Sequence, residues 1–103
     1  MKQKVQNKEM LFALIESNRM RIRDYGVRTI GLFGSFARNE QNDHSDVDLL
    51  VDFETDKETY RNFISLAYYM EELLGRKVEV VTRNGLSPYI GPRILKEVQN
   101  VPL

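Results

Sequence analysis

Two short stretches of this 103-residue chain carry residue types suited to phosphate chemistry, Gly34-Ser35 and Asp46-Val47-Asp48. Alternation along a strand sets the Asp46 and Asp48 carboxylates on one face, about 6–7 Å apart. Like charges so placed repel unless a cation lies beside them. A hard divalent ion such as Mg²⁺ takes oxygen ligands and keeps waters and substrate phosphates as the remainder. An Asp-x-Asp pair is also met as two solvated acids at the start of a strand. An EF-hand loop is excluded, because no glycine follows at the required place and the pair runs straight into an apolar strand. Gly34-Ser35 follows an apolar run and precedes a candidate helix start. Glycine lets a phosphate approach the backbone, free N–H groups at such a turn favour an anion, and the Ser35 hydroxyl adds a donor. Taken alone, Gly-Ser is equally a plain strand-to-helix turn. Together the two stretches describe one loop for a triphosphate and a neighbouring strand for the metal that bridges it.

The elements that must hold these residues read from periodicity. Residues 7–16 are expected to be helical, with Met10, Leu11, Leu14 and Ile15 at helix spacing and Asn7 as the cap. Asn18 is expected to cap a second short helix that buries Met20, Ile22 and Tyr25 and ends at Gly26. Val27–Phe33 reads as a strand, and residues 34–45 as a loop with a short helical start at 36–38. Val47–Phe53 is a second strand. Its Val47, Leu49, Val51 and Phe53 face one way and Asp46, Asp48, Leu50 and Asp52 the other. Thr55 and Glu58 stand at capping-box spacing and predict a helix that runs to Leu74 and stops at Gly75. Phe63, Leu66, Ala67, Met70, Leu73 and Leu74 form its apolar stripe. A third strand follows over 77–82, then a turn at Asn84-Gly85. Pro92 opens a last helix expected to bury Ile94, Leu95 and Val98. The helical crossover lets the second and third strands run parallel, and the first-to-second link leaves either direction open. The expected fold is α+β in two layers. It is a small mixed β-sheet with helices packed on one face, in a single domain over residues 1–103.

Composition bounds the function. Apolar residues make up 42% and charged residues 29%, which fits a folded globular chain. So short a chain buries a modest core, which a partner subunit would help to complete. The absence of cysteine excludes disulfides, thiolate metal sites and a cysteine nucleophile. No apolar run approaches the roughly 18 residues of a membrane span. The start, Met1-Lys2-Gln3-Lys4, is polar and lacks the apolar stretch of a signal peptide, so a cytoplasmic protein is expected. Residues 1–38 carry eight Lys/Arg against three Asp/Glu, and residues 39–103 seven against twelve. Besides ordinary solvated faces, that asymmetry suits an acidic part that gathers a cation and a basic part that faces phosphate. The basic residues are not massed enough for a nucleic-acid groove.

Ten residues, Phe36 to Ser45, separate Ser35 from Asp46. The pattern Gly34-Ser35-x10-Asp46-x-Asp48 resembles the signature of the DNA polymerase β-like nucleotidyltransferase superfamily. Phe33-Gly34-Ser35-Phe36-Ala37-Arg38 and Ser45-Asp46-Val47-Asp48-Leu49-Leu50-Val51-Asp52-Phe53 together resemble the minimal nucleotidyltransferase family. The likeness continues through Leu74-Gly75-Arg76-Lys77-Val78-Glu79-Val80-Val81 and Pro88-Tyr89-Ile90 to Ile94-Leu95, spanning about residues 25–98. The resemblance implies a third carboxylate on a later strand. Glu79 falls at that position, on the face away from Val78 and Val80, where the family more often has Asp. Glu is one methylene longer and is still able to bind metal or take a proton. Asn39 stands where many relatives have Gly, and Asn accepts left-handed backbone better than most residues.

The implied activity is transfer of AMP from ATP to a hydroxyl, with release of pyrophosphate. On that resemblance Asp46, Asp48 and Glu79 are the catalytic carboxylates and hold two Mg²⁺ ions, while Gly34, Ser35 and Arg38 bind the nucleotide. Arg38 is equally able to tie the loop to Glu40, Asp43 or Asp52. Asp52 is expected to be structural, His44 a solvated loop histidine, and Tyr68-Tyr69 packing and partner surface. The resemblance further implies an antitoxin paired in a hetero-oligomer with a HEPN ribonuclease toxin, whose tyrosine accepts the AMP, without membrane or direct nucleic-acid binding. Two other functions compete: an antitoxin that acts by contact alone, and a small-molecule transferase of the aminoglycoside-modifying type, whose members usually carry a further domain.

Overall fold

The computed structural model describes residues 4–103; Met1, Lys2 and Gln3 of the polar start lie outside the described residues. Helix α1 is Lys8–Ser17, and the Asn7 side chain caps it by accepting from the Met10 N–H at 2.8 Å. Helix α2 is Arg19–Asp24. The Asn18 side chain does not cap it; it donates back to the Leu14 carbonyl at 2.8 Å and closes the end of α1 instead. Ile22 is buried as expected, whereas Met20 is exposed, because two residues on a helix point to nearly opposite sides.

Strands β1, Val27–Phe33, and β2, Val47–Phe53, have the bounds their β-formers suggest. They pair antiparallel, with Leu32 opposite Leu49 and Phe33 opposite Asp48. Helix α3 is Tyr60–Leu74. Its cap is Thr59, which accepts from the Asn62 N–H at 3.1 Å, and not Thr55. Residues 54–57 are spent on a turn: Glu54 bonds back to Gly26, Lys57 to Glu54, and Asp56 takes φ +67°. The chain turns beside Gly26, at the start of β1, before the helix begins. Gly75, at φ +68°, stops α3 as expected.

The α3 crossover delivers strand β3, Val78–Thr82, parallel to β2. After a 3₁₀ turn at Arg83–Gly85 comes helix α4, Gly91–Glu97. It buries Ile94 and leaves Leu95 exposed, since so short a helix offers one side to the sheet. A strand not foreseen from sequence, β4 at Gln99–Val101, pairs antiparallel with the free edge of β1. The sheet order is β3-β2-β1-β4. One face carries the main core: Ile30, Leu32, Val47, Leu49 and Val51 pack against Leu11 and Ile15 of α1 and Leu66, Met70 and Leu74 of α3. The alternate residues, among them Gly31, Phe33, Asp48 and Leu50, look the other way. That second face is left open at the carboxyl end of β1, and there the chemistry-bearing residues meet.

Candidate active site

Gly34 ends β1 at φ +78°, in the left-handed region. A Cβ at this position would run into the Asp48 carboxylate. Two demands therefore fix glycine here: the backbone turn and the closeness of the loop to the acid on β2. The loop then curls tightly. Arg38 N–H donates to the Gly34 carbonyl at 3.2 Å and Glu40 N–H to Ser35 at 2.9 Å. These are turns, and the helical start expected at 36–38 does not continue into a helix. Asn39 takes φ +58°, the conformation its residue type allows.

A residue not singled out by type, Arg76, fixes the loop from beneath. It is buried, and its guanidinium lies over the fully buried Phe36 ring at 4.9 Å. Its Nε donates to the Val5 carbonyl at 2.7 Å, and Nη1 to the Asn42 and Ser45 carbonyls, both at 2.9 Å. One cation thus pins both ends of the segment between Ser35 and Asp46, which makes their ten-residue separation a defined geometry.

Asp48 is half-buried on β2, and Glu79 is its register partner on β3. The Glu79 carboxyl is close enough to act on that of Asp48. Burial first, then the charge and hydrogen bond of Glu79 and the charge of Asp46, push Asp48 up to about 6. Asp46 is exposed just before β2. The three sequence candidates therefore come to one edge, Asp48 paired with Glu79 and Asp46 in electrostatic range. They do not enclose a ready-made cage: among the described residues no three acidic or histidine side chains surround a common point. The donor set nonetheless fits Mg²⁺, which is commonly held by one or two carboxylates plus substrate phosphates. Crowded, mutually repelling oxygens with a raised Asp48 pKa are what such an ion relieves.

Arg38 is exposed and held by two carboxylates, Glu40 through Nε at 2.9 Å and Glu97 through Nη1 at 2.5 Å. Of the three loop-tying partners weighed from sequence, Glu40 is found; Glu97, 59 residues away at the end of α4, was not among them. Asp52 pairs instead with Arg28 at 3.7 Å. Glu97 also accepts from the Gly34 N–H at 2.9 Å. That backbone bond, then the Arg38 side chain, hold its carboxyl below the usual range. No local pattern marks Glu97, since its partners are brought to it only by the fold. His44 is exposed on the loop. Tyr69 packs on Tyr25 with Arg21 over its ring, and Tyr68 is exposed. Beside Glu79 opens a cavity of about 270 Å³, walled by Phe33, Val81, Leu86, Ile90 and Ile94.

A glycine-serine turn set against a strand-borne acidic pair, on a mixed sheet backed by helices, defines a nucleotidyltransferase. The family model for the nucleotidyltransferase domain matches residues 16–101, and the chain belongs to that family. It is 40% identical over 91 residues to a protein adenylyltransferase, MntA, of Thermococcus cleftensis, across 87% of this chain and 91% of that one. A solved structure assigned as a minimal nucleotidyltransferase superposes with a TM-score of 0.81 at 34% identity, covering 98% of this chain and all of the other. The fold is also shared, at 20% identity and a TM-score of 0.63, with a chain of the complex between a tri-AMPylated HEPN toxin of Shewanella oneidensis and its MNT antitoxin. That match covers 88% of this chain and 71% of the other.

Proposed function

We propose that this nucleotidyltransferase moves AMP from ATP to a hydroxyl of a cognate HEPN ribonuclease toxin, the toxin itself bringing the acceptor. The observation that carries the reading is the packing of Gly34 against Asp48, with Glu79 in register beside it. The name of the Thermococcus relative and the AMPylated toxin in the more distant complex support it.

Gly34, Ser35 and Arg38 bind the triphosphate through a backbone N–H, a hydroxyl and a guanidinium. Asp46, Asp48 and Glu79 hold Mg²⁺, two ions when the site is full. The metal supplies charge neutralisation on the phosphates and a lowered pKa for the acceptor hydroxyl. Glu79, next to the cavity, receives the hydroxyl proton as oxygen attacks the α-phosphorus and pyrophosphate leaves. The apolar wall of the cavity suits an aromatic acceptor, and tyrosine is the hydroxyl residue of that kind. Catalysis is then positioning and electrostatics, with no covalent enzyme intermediate. A cytoplasmic setting, where ATP and Mg²⁺ are available, follows from this reading.

The test is to incubate the chain with its toxin, ATP and Mg²⁺ and measure the toxin's mass. A gain of one or more AMP units on a tyrosine, absent with the Asp46→Ala/Asp48→Ala variant, is the expected result. A toxin neutralised equally well by that variant, without a mass change, would replace the enzymatic reading with inhibition by contact.

A further inference from the structure

Glu97 occupies the groups that the proposed triphosphate needs. Its Oε2 takes the Gly34 N–H at 2.9 Å while Oε1 pairs with Arg38. A single N–H serves one strong acceptor, so phosphate and Glu97 exclude each other at Gly34. Both are anions, and crowding them at one loop adds repulsion. The side chain is also placed against the polarity of its own helix. Glu97 is the last residue of α4, where a negative charge is disfavoured. Its loop partners, not the helix, hold it there.

The backbone around it is fixed. Val98 N–H bonds to Ile94 at 2.9 Å, the Val98 side chain sits where a Cβ on Gly31 would be, and Gln99 pairs with Leu32. Release of the Glu97 carboxylate therefore needs side-chain rotation alone. We propose that Glu97 is an internal stand-in for phosphate: it fills the Gly34–Arg38 anion site in the empty protein and is displaced by the incoming nucleotide, setting nucleotide affinity. The proposal rests on the assignment of Gly34, Ser35 and Arg38 to the triphosphate.

Binding of a non-hydrolysable ATP analogue with Mg²⁺, measured by calorimetry on the full chain, tests it. Glu97→Gln keeps the size and an oxygen for Gly34 but removes the charge. It should bind about tenfold more tightly than the unaltered chain, since less of the population has its site blocked. Unchanged or weaker binding by a folded Glu97→Gln protein would overturn the proposal and leave Glu97 as a strut. A second measurement needs no substitution: the Glu97 side-chain carboxyl ¹³C resonance should move as the analogue saturates the unaltered chain, and a resonance that stays put overturns the proposal too. Arg38→Ala separates the two claims. If it weakens binding while Glu97→Gln fails to strengthen it, only the stand-in falls. If Arg38→Ala leaves binding untouched, the triphosphate assignment falls and the stand-in with it.

Discussion

Asp48 of β2 and Glu79 of β3 stand in register across the parallel pair, close enough for the Glu79 charge to act on the Asp48 carboxyl. Two carboxyls so placed are relieved by a proton on one of them or by a divalent cation beside them. The pair therefore carries unfavourable charge whenever the pH removes that proton.

That charge predicts a pH-dependent stability. The Asp48 pKa rises from 3.8 to about 6 on folding, chiefly through burial. Ionised Asp48 thus opposes folding above about pH 6, and the penalty fades as the pH falls towards 4. Asp48→Asn should stabilise the metal-free chain at pH 8 by about 1 kcal/mol once solvent screening of a half-exposed group is allowed for. The thermal midpoint should rise by about 5 °C. At pH 4 the two proteins should melt together. A gain that persists unchanged at pH 4 would mean that the charge is not its source.

Arg76 should matter more to stability than any other charged residue of the loop region. Truncation to Ala leaves the Val5, Asn42 and Ser45 carbonyls without their donor and uncovers Phe36. The expected loss is about 3 kcal/mol by denaturant titration. Arg76→Lys should recover little of it, because an ammonium lacks the planar fork that reaches Val5 and the 42–45 loop at once.

These two residues show where the sequence was readable. Asp46 and Asp48 stand out because alternation on β2 is local, and so does the Gly34 turn. The bounds of β1 and β2 follow from the same short-range pattern. Thr55 misled because Thr-x-x-Glu satisfies a capping box in composition, while Asp56 at φ +67° turns the chain away from a helix. Strand β4 has only Gln99, Asn100 and Val101, and is a strand because β1 offers an unpaired edge. Arg76 and Glu97 act on partners some 30 to 70 residues away in sequence, Glu97 on Gly34 across 63 and Arg76 on Val5 across 71. Only the folded chain reveals them.

Gly34→Ala should separate binding from folding. The new Cβ meets both a left-handed φ and the Asp48 carboxylate. The strain should cost about 1–3 kcal/mol of stability. Displacing the loop should also abolish binding of the ATP analogue, read by calorimetry at a temperature where circular dichroism shows the variant folded. Retained affinity in a folded variant would remove Gly34 from the nucleotide site.

Glu79→Gln should pull activity and stability in opposite directions. A Gln amide donates to the Asp48 carboxylate where it is ionised, above about pH 6, so the metal-free protein should melt higher at pH 8 than the unaltered chain. The same change removes the charge that accepts the hydroxyl proton, and AMP transfer should fall about 100-fold. Glu79→Asp keeps the charge on a shorter arm, so its loss should be smaller than that of Gln. The toxin's mass change over time gives both rates. If Gln transfers AMP as fast as Glu, the proton has another acceptor, and Glu79 serves only to set the charge around Asp48.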